Sequence, residues 1–273
     1  MNKILRDLST ENLITAIEEN MFSFLSYSQK CQGSTAHEDS EISWVMTDIP
    51  SPLFNSIYRA QLPLEKIDFT IDALISRARK RNISLFWYIG PATQPSNLAE
   101  YLKKHGFVKA VQTPGMVMNL ENLRDDLSTP VGLTVQLVEN DESLKQWCQV
   151  LATFGLSDLA IDAYYDCMHY FDSDKTLAYL GMLNNQPVAI SLLHLEAGVA
   201  GIYCVATIPE ARRQGIGAWI TQLPLREAQQ KGYQVGILQS SEMGVGVYSS
   251  LGFQEYCKIG QYLWSPDQGQ ETG

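Results

Sequence analysis

The sequence predicts an α/β (α+β) protein of two domains, residues 1–125 and 131–266. Three observations carry that prediction. The chain has 273 residues, long for one domain and comfortable for two. Short apolar, β-branched runs alternate with amphipathic helical patterns along its length. One order of elements also occurs twice: SLFWYIG, NLAEYLKKHGFVKA and GMVMNL follow the same plan as QVGILQS, GVGVYSSLGFQEY and GQYLW. Each half reads strand, loop, helix, Gly-Phe, strand, which is a weak internal repeat.

Composition bounds the rest. An apolar fraction of 45% and a charged fraction of 18% are globular values. A net charge of −10 argues against nucleic acid, which demands a basic face, and mildly favours a cationic or neutral acceptor. The five cysteines, Cys31, Cys148, Cys167, Cys204 and Cys257, form no C-x-x-C pair. They suit a reducing compartment and offer no metal site. No apolar run is long enough to span a bilayer, so the expectation is a cytoplasmic protein without a membrane partner.

In order along the chain, residues 3 to 30 carry helical patterns built on Leu13, Ile14, Ile17, Phe22 and Leu25. Residues 32 to 41 read as a polar loop. Glu41 to Thr47 reads as a strand, ended by Ile49-Pro-Ser-Pro52, with a further strand within Leu53 to Gln61. Leu64 opens a helix that ends in a basic cluster, Arg77 to Arg81, where the helix dipole favours cations. Ser84 to Ile89 is a strand. Ser96 caps a helix ending at Gly106, and Gly115 to Leu120 returns as a strand. Residues 121 to 131 form the linker. Leu133 to Val138 is a strand, Asp141 to Phe154 a helix capped by Asn140 or Asp141, and Ser157 or Asp158 starts another through Tyr170. Leu177 to Leu183, the turn Asn184 to Pro187, and Val188 to Glu196 make a hairpin, extended to a meander by Val199 to Val205. His194 and Glu196 share one face of the middle strand, by period two.

The stretch Ile202 to Leu223 holds the chemistry. A buried strand leads through Pro209 and Glu210 to Arg212-Arg213-Gln214-Gly215-Ile216-Gly217, and then to a helix with Trp219, Ile220 and Leu223 on one side. The first amides of a helix lack internal partners and carry the positive end of its dipole. Glycines let an anion approach those amides, and arginines add charge, so the stretch is suited to a phosphate or pyrophosphate. A P-loop is excluded, since Ala218-Trp219 follows Gly217 where Lys-Ser or Lys-Thr is required. A Rossmann turn is excluded by Ile220 and by the absence of an acid from Val235 to Gln239.

Arg212, Gly215 and Gly217 satisfy the pattern Arg/Gln-x-x-Gly-x-Gly/Ala, and Tyr248-Ser-Ser-Leu-Gly252-Phe253 supplies Tyr-x-x-x-Gly-Phe. On both motifs the chain resembles the GNAT superfamily of acyl-CoA-dependent N-acyltransferases, over roughly residues 132 to 265. The resemblance implies two GNAT-like domains, each a mixed, mostly antiparallel sheet flanked by helices. The first is a degenerate copy, with Leu102 where Tyr248 stands and no phosphate loop before its helix. The resemblance also implies a cofactor, acetyl-CoA (coenzyme A), and an acceptor that is the amine of a small molecule or peptide. Val205, Ala206 and Thr207 would form the open strand end that holds pantetheine. Arg212, Arg213, Gln214, Gly215, Ile216, Gly217 and Ala218 would bind the pyrophosphate. Ser241 stands where many relatives carry asparagine. Tyr248 would be the general acid for a thiolate leaving group, a modest demand for a thiol with a pKa of about 8.5. Glu196, Glu242, an ordered water or an acceptor arriving deprotonated would meet the need for a base. Tyr164, Tyr165 and His169 lie where relatives cover the acceptor. The expected function is an N-acetyltransferase working by direct amine attack on the thioester. The competing readings are a non-catalytic CoA-binding regulator or interaction protein, and a transferase using an amino-acid-linked donor.

Overall fold

A computed structural model describes residues 4–31, 33–124 and 127–266. Lys3, Gln32 and the linker residues Asp125 and Asp126, which fall within the segments predicted above, lie outside the described residues. In chain order the elements are α1 (Thr10–Ser26), β1 (Thr35–Glu38), β2 (Ser43–Met46), β3 (Ser56–Tyr58), α2 (Ile67–Arg81), β4 (Leu85–Ile89), α3 (Leu98–Lys104) and β5 (Val108–Asn119). There follow β6 (Leu133–Leu137), α4 (Asp141–Leu151), α5 (Asp158–Met168), β7 (Thr176–Leu183), β8 (Gln186–Glu196) and β9 (Val199–Thr207). The last four are α6 (Ile216–Gln230), β10 (Val235–Gln239), α7 (Val245–Leu251) and β11 (Gln254–Trp264). The fold is a mixed α/β arrangement of mostly antiparallel strands flanked by helices. Among the described residues, no helix is long and apolar enough to cross a membrane.

Two compact units interleave in sequence. One holds the chain through Met21 with Pro114–Tyr256; the other holds Phe22–Thr113 with the chain from Cys257. The ranges 1–125 and 131–266 expected from the sequence do not contain this interleaving. Each strand that follows a Gly-Phe pair, β5 after Gly106-Phe107 and β11 after Gly252-Phe253, leaves partway along the unit in which it starts.

In the Phe22–Thr113 unit, β1 pairs with β2 and β2 with β3, both antiparallel; β3 runs parallel to β4, and β4 pairs with Phe86-to-Leu263 register against β11. Its core gathers Ile57, Ile71, Trp87, Leu102 and Phe107. β1 corrects the expected loop at 32–41: all four of its residues are exposed, so it lacks the apolar alternation that marks a strand. Ser96 does not cap α3; Asn97 takes that position, without a side-chain cap bond. His105, just past α3, bridges two carboxylates one turn apart on α2, at 2.8 Å from Asp68 and 2.8 Å from Asp72. Burial alone lowers its pKa, and the two carboxylates more than offset that, so the net shift is upward. The staple therefore stabilises fully below the unfolded-state histidine pKa of about 6.5 and fades as pH rises through the folded value. His105→Gln should remove that part of the pH dependence. Melting temperatures of the variant and the parent will converge above neutral pH and separate below it.

In the Pro114–Tyr256 unit, β6, β7, β8 and β9 form an antiparallel meander, β10 joins β9 in parallel, and the end of β5 pairs with β10. Two-residue turns close the hairpins. Asn184 and Asn185 have φ of 51° and 62°, and Ala197 and Gly198 have φ of 53° and 74°. Positive φ at both positions matches strand twist, which is why asparagine and glycine stand there. α4 starts in a reciprocal cap: the Ser143 amide donates to Asn140 Oδ1 (2.9 Å) and the Asn140 amide to Ser143 Oγ (3.3 Å). Ser157 caps α5.

α6 contains Pro224 in its interior. A proline has no N–H to give the carbonyl four residues back, here Ile220. The hydroxyl of Ser191, fully buried on β8, donates to that carbonyl at 2.8 Å. Ser191→Ala should cost about 1–3 kcal/mol, the price of a buried acceptor left unmet. In a Pro224→Ala background, where the new amide serves Ile220, the same change should cost less; urea denaturation of the four-member cycle measures the difference.

Candidate active site

The site begins where β9 leaves β10. Their parallel register covers only Ala200↔Gly236, Gly201↔Ile237 and Ile202↔Leu238. Beyond it β9 is bent by a bulge: its register with β8 passes from Tyr203↔Leu192 to Ala206↔Ile190, so Cys204 and Val205 together oppose Ser191. Cys204 takes φ of 51°, a left-handed turn inside a strand. Bulges bend and twist the strand that holds them. From Tyr203 to Thr207, β9 has no strand partner on the β10 side among the described residues. Such an edge can pair with an extended chain that carries amides.

The chain then turns through Pro209–Ala211 into the loop 212–215 and α6. Arg213 (φ 60°) and Gly215 (φ 78°) are both left-handed, and Gly215 is the N-cap of α6. Among the described residues, no amide from Arg213 to Ala218 donates to a backbone acceptor. Those amides stand at the positive end of the α6 dipole, with the exposed Arg213 beside them. Ile216 is buried with Leu133, Ala211 and Ile220, so it anchors the helix mouth and offers the site only its backbone. Arg212 folds back, its Nε donating to the Thr207 carbonyl at 3.1 Å.

A cavity of about 200 Å³ joins these parts. Val205, Ala206, Thr207, Arg212, Gly217, Ser241 and Tyr248 all line it. Arg213 and Gln214 are exposed on the adjoining loop, and Ala218 packs partly against the core. Thr153, Phe154, Met243, Gly244 and Val247 also line the cavity and were not singled out from the sequence. Gly244 and Val247 had a signal: they lie within one turn of Tyr248. Thr153 and Phe154 had none, since only the fold brings the end of α4 to this wall.

Ser241 holds the turn that launches α7. Its hydroxyl accepts from the Gly244 amide at 3.2 Å, and its carbonyl accepts from the amides of Gly244 and Val245. Gly244 is required by packing: a Cβ there would lie 2.7 Å from Tyr248 Cε2. The Tyr248 ring is thus seated against Gly244 and edge-on to Phe253, with centroids 6.0 Å apart. Burial pushes its phenol up to about 12, so it keeps its proton at neutral pH.

Several polar residues are elsewhere. His194 is fully buried, Nδ1 lies 2.9 Å from Thr176 Oγ1, and burial lowers its pKa to about 4, so the ring is neutral. Glu196 receives Lys175 Nζ at 2.6 Å and the Ala197 amide at 3.2 Å. They oppose Gly201 and Val199 at the far end of β9, about 15–20 Å along the strand from the Ala206 end. Neither lines the cavity, which corrects Glu196 as a candidate base there. Glu242 is exposed between two lining residues without lining the cavity itself. His169 donates from Nδ1 to the Tyr165 carbonyl and faces Asp141 at 3.2 Å, an exposed clasp between α5 and the start of α4.

A mixed, mostly antiparallel sheet with one splayed strand, a helix mouth of unmet amides beside it and a tyrosine on the cavity wall make up the site of this α/β fold. Residues 141–253 match the model of the acetyltransferase (GNAT) family. No curated protein sequence matches the chain. Among solved structures, a GCN5-related N-acetyltransferase from Kribbella flavida aligns with a TM-score of 0.69 at 17% identity, over 89% of this chain and 95% of its own. A GCN5-related N-acetyltransferase from Sphaerobacter thermophilus aligns with a TM-score of 0.61 at 14% identity, over 85% and 76%. A tandem GNAT protein from the clavulanic acid biosynthesis pathway aligns with a TM-score of 0.60 at 11% identity, over 94% of each chain. At these identities the likeness is one of fold.

Proposed function

We propose that the protein is an acetyl-CoA-dependent N-acyltransferase that moves an acetyl group to the amine of a small molecule or peptide. The observation that carries this is the continuity of the splayed β9 edge, the cavity and the unmet amides of Arg213 to Ala218. The residues fit the cofactor: six amides without backbone acceptors suit a diphosphate, and the open edge from Val205 to Thr207 suits the two amides of pantetheine. Acetyl-CoA, when bound, supplies an activated thioester carbonyl. An amide of the Val205–Thr207 segment donates to the carbonyl oxygen as negative charge develops there. Tyr248 donates a hydrogen bond from Oη to the departing thiolate. With its phenol near 12 and a thiol near 8.5, it stabilises the thiolate rather than surrendering its proton, and the solvent supplies the proton. That refines the general-acid role expected from the sequence.

Titration calorimetry with acetyl-CoA tests the site. Arg213→Glu and Gly217→Trp should abolish measurable binding while leaving the fold intact by circular dichroism. Unchanged affinity in both would reject the assignment.

We also infer that the Phe22–Thr113 unit is an eroded copy that takes no cofactor. Its parallel pair β3–β4 covers only Ser56↔Phe86 and Ile57↔Trp87, and the chain beyond is filled by its own loop. The Gln94 amide donates to the Ala60 carbonyl at 2.8 Å and the Leu62 amide to the Gln94 carbonyl at 3.0 Å. Leu102, in the place of Tyr248, is fully buried. The same titration should therefore give one acetyl-CoA per chain; two equivalents would contradict it.

A further inference from the structure

A second cavity, of about 490 Å³, lies between α4 and α5. That volume is in the range of small-molecule sites. Lys145 lines it from α4, and Asp158 and Asp162, one turn apart, line it from α5, with Tyr165 one turn further. The three charged side chains make no ion pair or hydrogen bond with one another or with other described residues. Opposite charges that line one cavity without closing on each other are available to a ligand carrying both signs. The groove also adjoins the reaction centre. Ala152 lines it, and the next two residues, Thr153 and Phe154, line the cofactor cavity. Cys148, which is buried, also lines the groove.

We propose that this groove holds the acyl acceptor and that the acceptor is a diamino acid. This rests on the acyltransferase reading and names its substrate class. The carboxylate of the acceptor pairs with Lys145, and its α-ammonium pairs with Asp158 and Asp162, where the charge keeps that nitrogen protonated and unreactive. The second amino group is left to extend toward the fork of β9 and β10. Its nitrogen forms the new bond to the acyl carbon as the carbon–sulfur bond breaks. The amine releases one proton to solvent, and the thiolate takes one up, giving an amide and free thiol.

Ornithine, putrescine and norvaline are the probes, since they carry respectively both charges and a second amine, no carboxylate, and no second amine. With acetyl-CoA and detection of free thiol, ornithine should turn over with the highest kcat/KM. Lys145→Ala should raise KM for ornithine about tenfold and leave putrescine unchanged; Asp158→Asn with Asp162→Asn should raise KM for ornithine about tenfold or more, with the acetyl-CoA Kd unaltered. Saturation-transfer NMR of ornithine on the same proteins reads groove binding without acetyl-CoA, so a failure of the cofactor site is separable from a failure of this groove. Ornithine signals that are absent, or that persist unchanged in the charge variants, would overturn the proposal, as would equal turnover of norvaline.

Discussion

Gly201→Ala is expected to destabilise the protein by about 4 kcal/mol or more, a large share of the 5–15 kcal/mol typical of a folded domain. Gly201 sits on β9 facing α1. A Cβ there would lie 2.1 Å from Asn20 Oδ1 and 2.7 Å from Tyr203 Cε2. Asn20 has no room to yield, because its fully buried amide is committed three ways. Nδ2 donates to the His194 carbonyl (3.1 Å) and the Glu196 carbonyl (2.9 Å), and Oδ1 accepts from the Tyr203 hydroxyl (2.8 Å). A methyl group would drive the amide out and break these bonds in a dry interior, where each buried group left unmet costs about 1–3 kcal/mol. Because the loss passes through one residue, it should not add to that of Asn20→Ala. Chemical denaturation of both single variants and the double variant checks this. A double variant as unstable as the sum of the singles would separate the two residues.

Tyr248→Phe should lower kcat about 10²-fold and leave the acetyl-CoA Kd unchanged. The ring remains seated against Gly244 and Phe253, so removing one oxygen takes away the hydrogen bond to the thiolate and little packing. The activity of the parent should show no basic limb assignable to this phenol below pH 10, since burial holds it near 12. Steady-state rates over pH, with calorimetric Kd values beside them, measure both. A Kd that rises with the loss of rate would make Tyr248 a packing residue of the cofactor site. Full turnover in the variant would remove it from the chemistry.

The glycine loop that opens α6 was legible because its signal is local: Gly215 takes a left-handed φ at the N-cap, and Gly217 follows in the first turn of the helix. The hairpins of the meander were legible for the same reason, through Asn184-Asn185 and Ala197-Gly198. What the sequence concealed depends on tertiary contacts. The bulge at Cys204 opens the fork, yet cysteine carries no preference for a positive φ. Thr153 and Phe154 reach the cavity only because α4 ends beside it. The interleaving of the two units was hidden because β5 and β11 change company in mid-strand, with no turn residue at the crossing. The start of β5 at Val108 was missed because its first five residues are exposed and show no buried alternation. Pro224, unaccountable as sequence, is explained by Ser191 on a strand thirty-three positions earlier.

The proposed function requires that the first amides of α6 hold a diphosphate beside the open edge of β9. A crystal structure with coenzyme A tests it most directly. The diphosphate should lie within hydrogen-bond reach of the amides from Arg213 to Ala218, with pantetheine paired along Val205 to Thr207 and the sulfur near Tyr248 Oη. Coenzyme A bound at any other place on the chain, with the α6 mouth filled by side chains, would contradict it.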